Sequence, residues 1–389
     1  MADALSAPAS ARQVDVAVIG AGIIGASCAF HLAARGVRVA VVEAKEGPAM
    51  GSTGRSFASI RTQWPDATNI QLSAESIQIY RDFESRHGVD VGYRASGYLL
   101  LVPEDHWGTQ LEAVALQRSL GVAVDVLSPQ EAQRYSSFDT SGLGGCTWGH
   151  ADGVVDPHLV TTTYLDLARQ LGATVHFQQP VDAIEHVGDE WRLATPKAEL
   201  SARYIVNASG GWAGEVAAMA KLSVPVEHVR RMIFASAPDA VAGKVPMTID
   251  VRTGFYLRSE ASRLLMGCAN PDEKPGYTTR MDWPWLETAL EFGVERFPWL
   301  AEIPIDNAAS WAGTYEVTPD HRPFLGTMPG SPTWINACGF SGHGVMQAPM
   351  AGKVTAEEII DGRAASVDID PLRIGRLAEA GLAATSLIF

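Results

Sequence analysis

Val14-Asp15-Val16-Ala17-Val18-Ile19-Gly20-Ala21-Gly22-Ile23-Ile24-Gly25 is an apolar strand running straight into G-x-G-x-x-G. A small-residue helix, Ala26 to Ala33, follows, and a second strand, Val37 to Val42, ends at Glu43. This strand–turn–helix–strand–acid order is the unit of a dinucleotide-binding domain. Gly20 permits the tight turn, and Gly22 lets a pyrophosphate approach the backbone. Gly25 lets helix and strand pack closely. The helix N-terminus offers unpaired N–H groups and a positive dipole end to phosphates. Glu43 can accept hydrogen bonds from both ribose hydroxyls, and its charge would repel a 2′-phosphate, which disfavours NADP. The unit alone leaves NAD and FAD open.

The chain has 389 residues, enough for two domains or one elaborated one. Its net charge of -14 argues against nucleic acid or an anionic membrane as partner. It holds no apolar run long enough to span a bilayer. Met1 to Arg12 is small and polar, lacks the apolar stretch of a signal peptide, and reads as a disordered lead-in. The four cysteines, Cys28, Cys146, Cys268 and Cys338, show no metal spacing. They read as buried reduced thiols, so the expected compartment is the cytoplasm and no metal is expected.

Further on, helices are expected over Asn69 to Arg86, Leu111 to Leu120 and from about Pro349 to Asp361. Ser128-Pro129 and Asp156-Pro157 are helix starts, each a capping residue before a proline. Gly97 to Val102 and Thr174 to Phe177 read as strands, and Tyr204 to Trp212 is a strand entering glycines. Short strands dominate from Val224 to Tyr315. Trp334 to Ala337 is a last strand before a glycine-rich turn, Gly339 to Gly344. The nucleotide-binding pieces are therefore dispersed, with strand-rich pieces between them, and that interleaving favours a flavoprotein. The expected fold is α/β: a Rossmann-like FAD-binding domain with an interleaved, mainly antiparallel β-sheet substrate domain. The first takes residues 14–85, 146–215 and 320–370; the second takes 86–145 and 216–319; residues 371–389 form a tail.

Four segments carry a resemblance: the fingerprint, Gly51-Ser52-Thr53-Gly54-Arg55-Ser56, Val206-Asn207-Ala208-Ser209-Gly210-Gly211-Trp212, and Gly339-Phe340-Ser341-Gly342-His343-Gly344 behind Thr318-Pro319-Asp320. Together they resemble the D-amino-acid-oxidase superfamily of FAD enzymes, from Val14 to about Ile369. The nearest branches are the sarcosine oxidase β-subunit, the proline dehydrogenase flavin subunit and the FAD-dependent oxidoreductase domain-containing proteins. The resemblance implies that Gly20, Gly22, Ile23, Ile24, Gly25, Glu43 and Ala44 hold the ADP half of FAD. Ser52, Thr53, Arg55 and Ser56 would sit beside the pyrophosphate and flavin, although Ser52 and Thr53 also suit a helix cap. Val181 would meet the adenine, and Ala208, Gly210 and Trp212 the middle of the cofactor. Gly313, Gly339, Gly342, His343, Gly344, Val345 and Met346 would reach the flavin ring.

Departures from the family pattern also inform the reading. The histidine or cysteine that carries covalent flavin in some relatives has no counterpart here, so FAD is expected to be non-covalent. Arg263 to Gly267 lacks the lysine that promotes reaction with oxygen, which tilts the reading toward a dehydrogenase. Met346 stands where a second, carboxylate-binding lysine is expected. Arg61 matches the arginine that binds a substrate carboxylate, a role suited to its planar fork; a surface arginine is the plain alternative. Tyr256 and Tyr315 match aromatic positions around the substrate, and equally suit the core. Arg231 and His228 lie on a strand expected to face the site. His343 reads as a neighbour of the flavin more than as a proton carrier.

The expected activity is oxidation of the C–N bond of a secondary, N-methyl or cyclic amino acid, giving an imine that water hydrolyses. The alternatives are a D-amino acid dehydrogenase or oxidase, and a flavoprotein subunit or assembly factor with secondary catalysis. The acceptor would be oxygen, a quinone or a partner subunit, and a homo- or hetero-oligomer is compatible with all of these. The apolar end, Leu382 to Phe389, suits either a partner contact or a frayed tail.

Overall fold

The computed structural model describes residues 12–379 apart from 198. The expected lead-in, except for Arg12, and the apolar end Leu382–Phe389 lie outside the described residues. The first strand starts at Arg12, two residues before the expected Val14, and runs to Ile19. Its early residues are held by parallel pairing, with Arg12 opposite Leu200 and Gln13 opposite Ser201.

The first strand is central in an eight-stranded sheet. Five strands lie parallel in the order Ser331–Cys338, Glu199–Asn207, Arg12–Ile19, Val39–Val42 and Thr174–His176. Phe324–Met328 closes one edge antiparallel, and the hairpin Ala183–Val187/Glu190–Ala194 joins Glu199–Asn207. Val39–Val42 is buried at every position, as expected of a strand covered on both faces. One face is covered by the helices Ile23–Ala33, Pro157–Gln170 and Gly344–Ile360. Gly352 makes the closest of these contacts possible, because a Cβ there would sit 2.2 Å from Ser27 Oγ.

The second eight-stranded sheet runs Trp311–Val317, Glu227–Ala235, Arg263–Gly267, Phe255–Glu260, Met247–Asp250, Tyr98–Pro103, Leu143–Gly149, Val124–Leu127. Its neighbours are antiparallel except Met247–Asp250 beside Tyr98–Pro103. The expected boundary at 145/146 cuts Leu143–Gly149, which pairs along its length with Tyr98–Pro103. A two-stranded ribbon, Ser59–Ile60 with Gly153–Val154, is a third, small sheet.

Three expectations are corrected in detail. The helix Asn69 to Arg86 is two helices, Ala67–Arg81 and Phe83–His87, because the break at Asp82 turns Phe83 into the core. There its ring meets Tyr164 edge-on at 5.2 Å. The last long helix starts at Gly344, not at Pro349. Proline removes an N–H from the helix interior, leaving the carbonyl of Val345 without its usual donor. The Tyr80 hydroxyl donates to that carbonyl at 2.6 Å, so the helix passes through the proline intact. Finally, Phe324–Met328, absent from the sequence reading, pairs with Ser331–Cys338.

Candidate active site

The chain's dispersed segments meet at the carboxyl ends of the parallel strands, where ligands of open α/β sheets bind. Gly20 adopts φ +106°, and a Cβ on it would lie 2.5 Å from the carbonyl oxygen of Ala208. Only glycine lets these two strand ends come together. A Cβ on Gly25 would lie 2.0 Å from the Gly20 carbonyl, which explains the third fingerprint glycine as a packing requirement. Glu43 accepts from the backbone N–H of Ala21 at 2.7 Å and of Lys45 at 2.8 Å, so its carboxylate is fixed at the end of the second strand. Thr53 Oγ1 accepts from Ile23 N–H at 3.2 Å. It thereby caps the first helix from a distant loop, while Ser52 makes no cap.

A channel of about 370 Å³ runs from this corner toward the second sheet. Gly20, Gly22, Ile23, Ile24, Glu43 and Ala44 line its first part, with Val181 alongside. Ser52, Thr53, Arg55, Ser56, Ala208, Gly210 and Trp212 line its middle. Gly313, Gly342, Gly344 and Val345 line its far part, together with Arg231, Tyr256 and Tyr315. Two expected residues lie behind the wall instead. Gly25 is taken up by helix packing, as above. Gly339 has φ +75° and donates its N–H to Glu316 Oε2 at 3.0 Å.

A smaller chamber of about 70 Å³ adjoins the channel. Ser56, Phe57, Tyr256, Tyr315, Gly342 and Val345 are common to both walls. Arg61, Tyr98, His343 and Met346 line only the chamber. Arg61 is 4 % exposed, so it is not a surface arginine. Its guanidinium lies 4.2 Å from the centre of the Trp64 ring and 5.8 Å from that of Tyr98, whose side chain also hydrogen-bonds it. Stacking on aromatic faces suits a planar guanidinium and restricts its orientation. His228 does not line either cavity; it sits behind Trp212, with Nδ1 3.0 Å from Thr314 Oγ1.

Burial governs the ionisation of the chamber. It raises the phenol of Tyr98 to about 12 and that of Tyr256 well above its ordinary value; Tyr315 is raised as well. Burial, then the charges of Arg61 and His321, hold His343 well below the ordinary imidazole value. Among the described residues that line the chamber, Arg61 is therefore the one cation at neutral pH, set among neutral phenols and a neutral imidazole. Glu316 lines the channel, and burial pushes its carboxyl up to about 7 against the N–H groups of Gly339 and Phe340.

Sequence reasoning passed over Phe57, Tyr98 and Glu316. Phe57 packs edge-on against Tyr256 at 4.9 Å, a contact between a loop and a distant strand that no local pattern announces. Tyr98 follows Gly97 at a strand start, and only that position after a glycine hinted at special placement.

The family profile for FAD dependent oxidoreductases, DAO, matches residues 15–358. The chain belongs to the FAD-dependent oxidoreductase family. It is 27% identical over 401 residues to mitochondrial dimethylglycine dehydrogenase of Mus musculus, covering 95% of this chain and 45% of that protein. Mitochondrial sarcosine dehydrogenase of Mus musculus is 27% identical over 367 residues, covering 90% and 40%. The chain thus spans less than half the length of these two relatives. Among solved structures, L-proline dehydrogenase from P. horikoshii superimposes with a TM-score of 0.88 at 27% identity, covering 96% of this chain and all of that one.

The channel of this FAD-dependent oxidoreductase fits its family's cofactor on its own geometry. Gly22 has extended backbone, φ -74° and ψ 179°, and a Cβ there would meet only Thr53 Oγ1 at 3.3 Å. Its lack of a side chain serves the channel and not the turn. Ser56 Oγ and Arg231 Nε are buried on the channel wall without a protein hydrogen-bond partner, as expected where a polar ligand completes the set. The helix Gly344–Ile360 begins at the far end with no side-chain cap, and turns its positive end toward the channel. Gly20, Gly22, Glu43 and Thr53 would hold the ADP half; Gly342, Gly344 and Val345 would meet the ring.

Proposed function

We propose that this chain oxidises the C–N bond of a small secondary, N-methyl or cyclic amino acid, with FAD held non-covalently. The observation that carries the reading is the buried Arg61 in a chamber that shares a wall with the cofactor channel. An arginine fork makes two charge-assisted hydrogen bonds to a carboxylate, which fixes both position and orientation. The similarity to enzymes that bear the names dimethylglycine, sarcosine and L-proline dehydrogenase supports the amino-acid class.

FAD, when bound, supplies the acceptor for a hydride equivalent. The protein's part is to bind, orient and desolvate the substrate. Arg61 takes the carboxylate, so the amine and its neighbouring carbon are directed to the shared wall of Phe57, Tyr256 and Tyr315. The raised phenols stay protonated, and the neutral His343 adds no charge to repel or trap the amine. An amine that binds neutral needs no further base: its C–H bond breaks, the electron pair leaves as hydride, and the nitrogen lone pair forms the C=N bond. Water then hydrolyses the imine, releasing formaldehyde from an N-methyl group; a cyclic amine gives a ring imine.

No cysteine or histidine lines the channel among the described residues, and the four cysteines are free and buried. Both observations support non-covalent FAD, and the buried thiols suit a reducing compartment. A dehydrogenase is favoured because, among the described residues, no lysine lines the chamber. The test is Arg61→Ala against Arg61→Lys in anaerobic reduction kinetics. The alanine variant should raise the apparent substrate constant by the loss of a charged hydrogen bond, about 1.5–3 kcal/mol or roughly 10- to 150-fold. Lysine should restore part of it. An unchanged constant in Arg61→Ala removes the assigned role. No reduction by any amino acid, together with a stable co-purifying partner, favours a subunit role.

A further inference from the structure

The geometry points to Asp152 as the positioning residue that sets Arg61 and Tyr98 in register for a substrate carboxylate. This rests on the reading of Arg61 given above. Asp152 lies outside both cavities and is fully buried. The ribbon Ser59–Ile60/Gly153–Val154 brings it beside the segment Arg61-Thr62-Gln63. One carboxylate oxygen accepts from the Thr62 backbone N–H and from the Thr62 hydroxyl, each at 2.8 Å. The other accepts from Gln63 Nε2 at 3.1 Å. The two residues that follow Arg61 in the chain are thus both gripped by a single side chain.

The same residue reaches the opposite wall. Its backbone carbonyl accepts from Gly97 N–H at 2.8 Å, next to Tyr98. Gln63 Nε2 also donates to the Tyr98 carbonyl at 3.0 Å, and Gln63 Oε1 accepts from Thr147 Oγ1 at 2.7 Å. Gln110 Nε2 completes the network at 3.2 Å from Thr147 Oγ1. Gly149 leaves room for the carboxylate, since a Cβ there would lie 2.1 Å from Asp152 Oδ2. A buried polar network of this kind holds its members in one arrangement, and losing its hub leaves several buried groups unpaired.

The charge is placed for the same purpose. The hydrogen bonds from Thr62 and Gln63, and last the charge of Arg61, lower the Asp152 carboxyl against the burial that raises it. Asp152 therefore acts on the substrate through Arg61: it fixes the guanidinium's segment and balances its charge before a ligand carboxylate arrives. Propionate and propionamide share a shape and differ in charge, so their relative affinity reads this function.

The experiment measures binding of both probes to the holoprotein from the perturbation of the flavin's visible band. The wild type should prefer propionate. Asp152→Ala should lower the propionate-to-propionamide affinity ratio at least tenfold, with FAD content unchanged. Asp152→Asn keeps an oxygen for Thr62, but loses the charge and sets an amide nitrogen against Gln63. Its ratio should fall at least threefold, with the order wild type, asparagine, alanine. With the best oxidised substrate, KM should rise more than kcat falls. If Asp152→Ala does not fold, the asparagine variant alone decides. An unchanged ratio in the folded variants, with the preference lost in Arg61→Ala, overturns the role of Asp152. A preference that survives Arg61→Ala overturns the Arg61 reading on which it rests.

Discussion

Replacing Gly22 with alanine separates the demand of the fold from the demand of the cofactor. The backbone at Gly22 is extended, so alanine adopts it without strain. Its Cβ would meet only Thr53 Oγ1 at 3.3 Å, a contact relieved by a shift of a few tenths of an ångström. That shift disturbs the 3.2 Å cap from Thr53 to Ile23 N–H, at a cost of about 0.5 kcal/mol. Removing a glycine from the unfolded chain returns about 0.4–1 kcal/mol. The apoprotein should therefore keep its stability within about 1 kcal/mol. The channel has no such compensation, because the added methyl would stand where the proposed pyrophosphate approaches backbone N–H groups, beside a wall that Gly22 lines. Loss of one charged hydrogen bond there is worth about 1.5–3 kcal/mol, roughly 10- to 150-fold in affinity. The assay is titration of apoprotein with FAD, followed by flavin fluorescence, alongside denaturant unfolding of the apoprotein. Weaker FAD binding on an intact fold is the expected outcome. An unchanged dissociation constant refutes the placement of the pyrophosphate at Gly22, and an unfolded apoprotein refutes the argument that the turn does not need this glycine.

Gly342→Ala should disturb substrate binding, because the position has φ +93° and a Cβ would lie 2.4 Å from the Tyr315 ring; steady-state kinetics should show a higher KM, and urea unfolding a loss of about 1–2 kcal/mol or more. Burial raises the Asp152 carboxyl from 3.8 to about 6, so the folded chain holds that proton more tightly than the unfolded one. The stability this gives is complete at low pH and is lost as pH rises from the unfolded value through the folded one. Between pH 5 and pH 8 the wild type should lose about 1.4 kcal/mol relative to Asp152→Asn; parallel urea-derived stabilities for the two proteins would contradict the shift. Acid precipitation of the holoprotein should leave a colourless pellet and FAD in the supernatant, whereas a yellow pellet means a covalent bond.

The turn and strand end of the candidate nucleotide half were legible because their demands are local. Gly20, Gly22 and Glu43 are set by one turn and one strand end, and the single stretch from Gly20 to Glu43 expresses them. Asp156 and Pro157 likewise announce the helix that they start, Pro157–Gln170. The other half depends on contacts across hundreds of residues. Gly339 was placed on the channel by its neighbours in a glycine-rich turn, yet its N–H is turned away to Glu316. Pro349 hid the first turn of the last helix, because the donor that replaces its N–H is Tyr80, far away in sequence. Phe57, on the loop before Ser59–Ile60, and Tyr98, on the second large sheet, become chamber residues only when these distant segments meet. Asp152 carried no local signal at all, since its partners Thr62, Gln63 and Gly97 come from two other segments.

The most direct test of the account is anaerobic mixing of the purified yellow holoprotein with a panel of N-methyl, cyclic and D-amino acids, each paired with its carboxamide. At least one secondary or cyclic amino acid should bleach the visible band of the oxidised flavin. The matching carboxamide should bleach it far more slowly, and Arg61→Ala should erase the difference. A colourless protein that binds NAD, or bleaching that is indifferent to the carboxylate, would contradict it.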